Sequence, residues 1–357
     1  MQGYLKIRFV WHWYKKTSKE LNGAFSVFDS LLFAIQKLSE KYDVEILCLS
    51  KIGQGKYFTK QQQIKYVFFK TKNEIISYLQ KNEPDVVFLN HHSDDYRLFL
   101  KKINALSALK IIYYSSPIKL NGLDFLRFLK RNGLGAENIN KEHNNINYHI
   151  VHHEYQKKQL EKFFGIIANQ IFVAPKTADL NVFKPIALRK KWDCVYPGRC
   201  REGYWKRPKL AIKACDILDK SLVMPGARLL NQYNNVTVLD RWISSQELNI
   251  IYNQSRCLLV TSNYIEMGPR IIPEAAACNI PIVCCSDSLA AVSHVRRIGG
   301  FIAKPNPRDI AKKIQLATCT ICNSREQLLN LGYTRDLVFK TIESILKTVF
   351  NKNKKRN

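Results

Sequence analysis

Glu266 and Glu274 stand in the stretch YIEMGPRIIPEAAACNIP with seven residues between them, a Gly-Pro-Arg turn and a second proline in the gap. A carboxylate accepts hydrogen bonds and donates none, so one of them can hold both hydroxyls of a ribose diol. Pro273 suits the first turn of a helix, and Glu274 follows it. A helix start offers unpaired N–H groups and a positive dipole end, which favour a phosphate. The same glutamate could instead only complement that dipole, worth about 0.3–1 kcal/mol. With 29 acidic residues in 357, the spacing alone decides nothing.

A second group, YPGRCREGYWKRPK, sets Gly198 and Arg199 at the end of a strand pattern and Lys206 at the start of the next helix. A strand-end glycine with two nearby cations suits a diphosphate, through close backbone approach and charge-assisted bonds to its oxygens. The alternative is a surface loop in a lysine-rich chain. Near the amino terminus, WHWYKKTSKELNGAF holds Asn22-Gly23, where Gly23 could bring backbone to a ligand or simply make a turn. Trp11, His12, Trp13 and Tyr14 could stack on a sugar ring or alternate into a core. The doublets His91-His92 and His152-His153 follow strand patterns, without the spacing of metal ligands. Cys319 and Cys322 form a CxxC with no second pair at metal spacing. No Walker loop and no Gly-x-Ser-x-Gly elbow occurs, which argues against a P-loop NTPase or a hydrolase of that kind.

These groups sit between short apolar runs that alternate with helical patterns. KIRFVW, YDVEILCLS, IKYVFFK, DVVFLN, KIIYYSS, NYHIVHH and IFVAP read as strands in the first half. WDCVYPGR, SLVMPG, NNVTVLD, RCLLVTS and PIVCCS do so in the second. In the helical pattern after Asn22-Gly23, Phe25, Phe28, Leu32 and Ile35 share one face. SSQELNIIYNQS opens with a capping box, Ser244 to Glu247, and a last helical region beginning SREQ runs to Phe350. The pattern implies two doubly wound α/β domains of parallel sheet, joined near residues 181–185 and facing a cleft. We expect domains at 1–183 and 184–335, with 336–357 a helix that packs back on the first domain and a basic tail. In such sheets ligands bind at the carboxyl ends of the strands.

The formal charge is +27, a field that attracts phosphorylated ligands, anionic lipid or nucleic acid. The lysines are spread along the chain, and no RNA-binding signature, zinc finger or helix-turn-helix accompanies them, so nucleic acid is not the expected partner. Cysteines standing singly in apolar runs (Cys48, Cys194, Cys257, Cys284, Cys285) suggest free thiols in a reducing compartment. No apolar run approaches the roughly 20 residues of a membrane span, and charges at Lys6 and Arg8 interrupt the first one. A cytoplasmic protein, with peripheral contact at a membrane as an option, is the expectation.

Taken together, the order of segments resembles a glycosyltransferase of the GT-B fold, in the large retaining group often called family 4. Glu266, Glu274 and the following PIVCCS match that family's Glu-x7-Glu motif and strand. Gly198, Arg199 and Lys206 match its Gly-Arg-Lys elements, with about one extra residue between. PKTADLNVFKP approximates its interdomain signature at Asp179, Phe183 and Pro185, and NGAF resembles its amino-terminal glycine loop. The resemblance implies donor binding by Arg199, Lys206, Gly268, Arg270, Ile271, Glu274 and Gly23, with Glu266 against the transferred sugar. It implies an acceptor-binding first domain, where Trp13, His91 and Tyr114 are candidates, and a nucleotide-sugar-binding second domain. It implies transfer from a nucleotide-diphosphate sugar, UDP or GDP as carrier, to a glycan, lipid-linked or other hydroxyl acceptor, with no metal or other cofactor. Three departures stand out: MGPR replaces a Phe-Gly pair, Lys176-Thr177 replaces Asn-Gly, and Tyr114-Ser115 stands where many members carry a histidine. A non-catalytic binding protein, or an epimerase or phosphorylase of the same fold, is the alternative.

Overall fold

Apolar side chains on both faces of a strand require cover on both sides, and this chain builds such strands twice. The computed structural model describes residues 5–11, 29–49, 55–59, 64–91, 96–114, 145–198, 206–227, 233–263, 266 and 268–354. They fall into two units, 1–174 with 336–357, and 175–335. The division lies at Ala174–Pro175, earlier than the expected 183.

The first unit runs β1 (Lys6–Trp11), α1 (Asp29–Ser39), β2 (Asp43–Leu49), β3 (Gly55–Thr59), β4 (Ile64–Phe69) and α2 (Lys72–Asn82). It continues through β5 (Val86–His91), α3 (Tyr96–Asn104), β6 (Leu109–Tyr114), β7 (Tyr148–Val151), α4 (Glu154–Phe164) and β8 (Ile171–Val173). The sheet order is β3-β4-β2-β1-β5-β6-β7-β8, parallel except for β3 against β4. Alternation sorts the strand residues onto two cores. Val10, Leu47, Val67, Leu89 and Ile112 face one layer, with Ile75, Leu79, Phe99 and Leu160 of the helices. Phe9, Ile46, Tyr66, Phe88 and Ile111 face the other, with Leu31, Ile35 and Leu38 of α1. The antiparallel β3 is a strand the sequence reading did not place. GKYFT is short and lacks the turn signals of a tight hairpin.

The second unit runs β9 (Trp192–Val195), α5 (Pro208–Ile217), β10 (Leu222–Pro225), β11 (Val236–Leu239), α6 (Ser245–Asn253) and β12 (Ser255–Val260). After them come α7 (Ile271–Ala277), β13 (Ile282–Cys285), α8 (Leu289–Ile298), β14 (Phe301–Ala303), α9 (Pro307–Thr318) and α10 (Ser324–Asn330). The order β11-β10-β9-β12-β13-β14 puts the crossover between β9 and β12. There the chain winds away in both directions, opening a crevice at the carboxyl ends of the strands. The five cysteines expected to be buried are buried and free.

Two readings of the helix termini change. Ser244 accepts the N–H of Glu247 at 3.1 Å, but the Glu247 carboxylate turns to Arg241 rather than completing the box. The last helical region is two helices, α10 and α11 (Leu337–Lys354), broken where Gly332 takes φ 65°. Ser324 donates to the Ala276 carbonyl instead of capping α10. α11 returns to the first unit, laying Val338, Ile342, Ile345 and Leu346 in the core beside α1.

Polar side chains explain the earlier division. Asn249 and Asn253, one turn apart on α6, accept the N–H groups of Lys184 and Ile186. Arg325 reaches the carbonyls of Leu180 and Phe183, and Arg335 pairs with Asp179 at 2.9 Å. The segment from residue 179 to 186 is therefore tied into the second unit before its first strand begins.

Candidate active site

Gly198 follows β9 with φ 128°, a conformation side-chain-bearing residues rarely adopt. A methyl group there would stand 3.1 Å from Lys206 Nζ, so the ammonium lies close over the glycine. The backbone of Lys206 is fixed as well. Its carbonyl accepts from the Tyr196 hydroxyl at 2.6 Å and from Thr261 Oγ1 at 3.0 Å. Tyr196 follows β9 and Thr261 follows β12, so the strands on both sides of the crossover hold this lysine.

Arg207, the next residue, joins three strand ends. Its Nε donates to the Thr261 carbonyl at 2.7 Å and its Nη2 to that of Ser262 at 2.9 Å. Both terminal nitrogens bind Asp287, after β13, at 2.7 Å each. This bidentate fork carries geometric specificity that a lysine would lack. The sequence reading missed Arg207. Its signal was present in the Arg-Pro junction opening a helix, where the residue before proline must leave the helical region; Arg207 takes φ 51°.

Glu266 and Glu274 are placed differently. Glu266 lies half-buried in the loop after β12, its N–H bonded to the Asn263 carbonyl at 3.1 Å. Glu274 is 3% exposed inside α7. One oxygen pairs with Arg270 Nε at 2.8 Å and the other accepts from the Tyr252 hydroxyl at 3.1 Å. Tyr252, buried on α6, meets the Phe183 ring at 6.0 Å. Gly268 takes φ 80°, Pro269 accepts from the Ile272 N–H, and Ile271 begins α7. The expected donor residues Lys206, Gly268, Arg270, Ile271 and Glu274 thus share the carboxyl edge of one sheet with Glu266. Arg199, Gly23 and Trp13 lie outside the described residues.

Lys176 is a further member that was noted only as a departure from a motif. Burial pushes its ammonium down to about 8. Glu266 opposes that shift, while Arg270 and Lys206 add to it. Behind it, His294 on α8 is pushed down to about 4 by burial, with Lys176 and Arg297 contributing.

In the first unit, His91 and Tyr114 are register partners at the ends of β5 and β6. Tyr114 is a core residue, however. It is 1% exposed, its hydroxyl lies 2.9 Å from His149 Nδ1, and the two rings stack. A ring buried so completely cannot present its face to an acceptor, so that candidate is withdrawn. Only the backbone of His91 is described. The doublet His152-His153 is buried too: His153 caps α4 by accepting the Gln156 N–H, which fixes Nδ1 as unprotonated there. Among the described residues no cluster of three or more His, Cys, Asp or Glu could hold a metal ion. No described helix is long and apolar enough to cross a membrane.

Residues 181–328 match the family model of glycosyl transferases group 1. No curated protein matched the sequence. Solved structures align over almost the whole chain. Sucrose-phosphate synthase from Thermosynechococcus elongatus does so with TM-score 0.70 and 12% identity, over 98% of this chain and all of the other. A glycosyltransferase from Rickettsia africae gives 0.69 and 13%, over 97% of this chain and 99% of its own. Anabaena HepE in complex with UDP-glucose gives 0.67 and 14%, over 97% and 100%. At such identities the likeness is one of fold, and the fold is GT-B.

Proposed function

For this glycosyltransferase of GT-B fold, with a group 1 domain at residues 181–328, we propose that the carboxyl edge of the second sheet binds a nucleotide-diphosphate sugar and gives up its sugar to a hydroxyl acceptor. One observation carries the reading. Lys206, its ammonium close over Gly198, and Arg270, paired with Glu274, stand at the crossover of a parallel sheet, where ligands of such sheets bind. UDP or GDP is the expected carrier, and Anabaena HepE, of the same fold, binds UDP-glucose.

As the bond from sugar to diphosphate breaks, negative charge grows on the leaving phosphate. Preorganised cations stabilise that charge without reorganising during the reaction. Lys206, held over Gly198, and Arg270 supply it, with Arg199 added from the same segment. Protein cations then do what a divalent ion would do elsewhere, so transfer is metal-independent. Glu274, a carboxylate that only accepts hydrogen bonds and is oriented by Arg270 and Tyr252, takes the ribose diol. Glu266 faces the transferred sugar, and transfer retains its configuration. The first unit receives the acceptor, a glycan or a lipid-linked hydroxyl. The charge of +27 suits peripheral contact with an anionic membrane from the cytoplasmic side.

The test is release of nucleotide from radiolabelled UDP-, GDP- and ADP-sugars, with and without membrane extract as acceptor source. We expect release with one carrier and a loss of about 100-fold in Lys206→Ala, the scale of losing one preorganised transition-state group. Binding without turnover for every carrier would leave a non-catalytic member of the fold. Equal turnover in wild type, Lys206→Ala and Glu274→Ala would overturn the assignment of the site.

A further inference from the structure

An arginine side chain carries five N–H donors, and in Arg207 four are engaged within the protein. Nε donates to the Thr261 carbonyl, Nη2 to the Ser262 carbonyl and to Asp287, and Nη1 to Asp287. A guanidinium so occupied does not take a diphosphate as well. It acts through the groups it holds.

The backbone of Arg207 is as constrained as its side chain. Among the described residues, four other than glycine take a positive φ: Glu83, Arg207, Asp219 and Asn279. Three of these stand just past the end of a helix, where a left-handed residue closes the last turn. Arg207 stands before one, with φ 51° and ψ 51°. Pro208 disfavours the right-handed helical region at that position, and such a conformation persists only where the surroundings over-determine it. The turn brings two successive carbonyls to one hydroxyl. Thr261 Oγ1 lies 3.0 Å from the carbonyl oxygen of Lys206 and 2.9 Å from that of Arg207.

Lys206 and Glu266 belong to different loops, one after β9 and one after β12. Arg207 adjoins the first in the chain and grips the root of the second. Ser262, whose carbonyl it holds, is followed by Asn263, whose carbonyl receives the Glu266 N–H at 3.1 Å. The buried hydroxyls of Ser262 and Ser288 lie 3.4 Å apart, tying the same strand end to the residue after Asp287. One side chain therefore joins the segment of Lys206, the root of the Glu266 loop and the end of β13.

We propose that Arg207, oriented by Asp287, is a positioning residue for transfer. It holds Lys206 and Glu266 in the register that the transition state needs, and it acts on turnover more than on donor affinity. This rests on the donor reading given above and adds a residue to it. A lysine on a flexible stem can reach a bound diphosphate from a range of backbone positions. Stabilising the charge that grows on the leaving phosphate requires a fixed placement, and a displacement of about 1 Å can cost about 100-fold in rate.

The experiment sets affinity against turnover in wild type, Arg207→Lys, Asp287→Asn and the double variant, with melting curves confirming the fold of each. Affinity is read by isothermal titration with UDP, GDP and ADP. Turnover is read as nucleotide release at saturating UDP-, GDP- or ADP-glucose, with membrane extract as acceptor source. Arg207→Lys keeps the charge and loses the fork, so the nucleotide should bind within about threefold of wild type. Its release should be about 50-fold slower, near the scale of a misplaced group. Asp287→Asn leaves Arg207 its two carbonyls and should be about tenfold slower. The double variant should be no slower than Arg207→Lys alone, as for residues that act as a unit. Lower melting temperatures with turnover unchanged, or affinity falling as far as turnover, would overturn the positioning role and leave the donor site standing. Losses that multiply in the double variant would overturn the dependence of Arg207 on Asp287. Absence of both binding and release in wild type would overturn the donor reading and this one with it.

Discussion

Each unit sets an arginine–carboxylate network on a parallel sheet, and the two networks do different work because they sit at opposite ends of the strands. In the first unit Arg8 of β1 pairs with Glu45, its register partner on β2, at 2.8 Å, and with Asp43 at 2.8 Å. Glu45 is 1% exposed and also takes Lys65 of β4 and the Tyr78 hydroxyl of α2. All four strand residues, Arg8, Asp43, Glu45 and Lys65, stand in the amino-terminal halves of their strands, away from the edge where ligands of such sheets bind. In the second unit Arg207 and Asp287 stand beyond the carboxyl ends. They fix backbone, and the carbonyls they hold belong to the loop that leads to Glu266. A buried pair in the body of a sheet must satisfy its own desolvation and leaves nothing for a ligand. A pair at the carboxyl edge is spent on orienting neighbours, and the neighbours keep their capacity.

That contrast can be broken at several points. Glu45→Ala should cost the first unit about 3 kcal/mol, the low end for stripping a partner from a buried charge because Asp43 still holds Arg8. Urea unfolding measures it, and nucleotide affinity should not change. His294→Phe separates the two units by pH. With a folded value of about 4 against an ordinary 6.5, the unfolded chain binds the proton first. Stability is therefore full above about pH 6.5 and is lost as pH falls toward 4, by about 3 kcal/mol in all. The phenyl variant, which keeps the edge contact with Tyr333, should show a flatter second-unit unfolding profile over that window while the first unit's is unchanged.

Gly198→Ala combines a strained backbone, costing about 1–3 kcal/mol, with a methyl group set against the Lys206 ammonium. Its melting temperature should drop, and nucleotide affinity should drop further than the lost stability explains. Tyr252→Phe is the mildest change, removing one hydrogen bond to Glu274. About 1 kcal/mol of second-unit stability is expected to go with it, read by the same urea series.

Strand periodicity made both sheets legible, and the glycine and lysine after β9 fall with the Glu-x7-Glu stretch at the carboxyl edge of one sheet. What stayed hidden depends on partners far along the chain. Arg207 looked like one more cation in WKRPK, because its targets lie 54 to 80 residues away. Lys176 looked like a lost Asn-Gly because no spacing shows that Arg325 and Arg335 pin its segment beside α7. The sequence reading assigns no element to residues 287–323, although Asn306-Pro307 opens α9 as a side-chain cap followed by a first-turn proline. Tyr114 misled for the opposite reason. Its place at a strand end suggested the edge, while alternation turned its ring into the core beside His149.

Hydrogen exchange with and without a saturating diphosphate nucleotide tests the central claim most directly, since it reads both carboxyl edges in one sample. The account predicts slowed exchange at 196–198, 206–207, 261–263 and 268–274, with the ends of β5 and β6 unaffected. Protection confined to those two strand ends, or no protection at all under saturation, would contradict it.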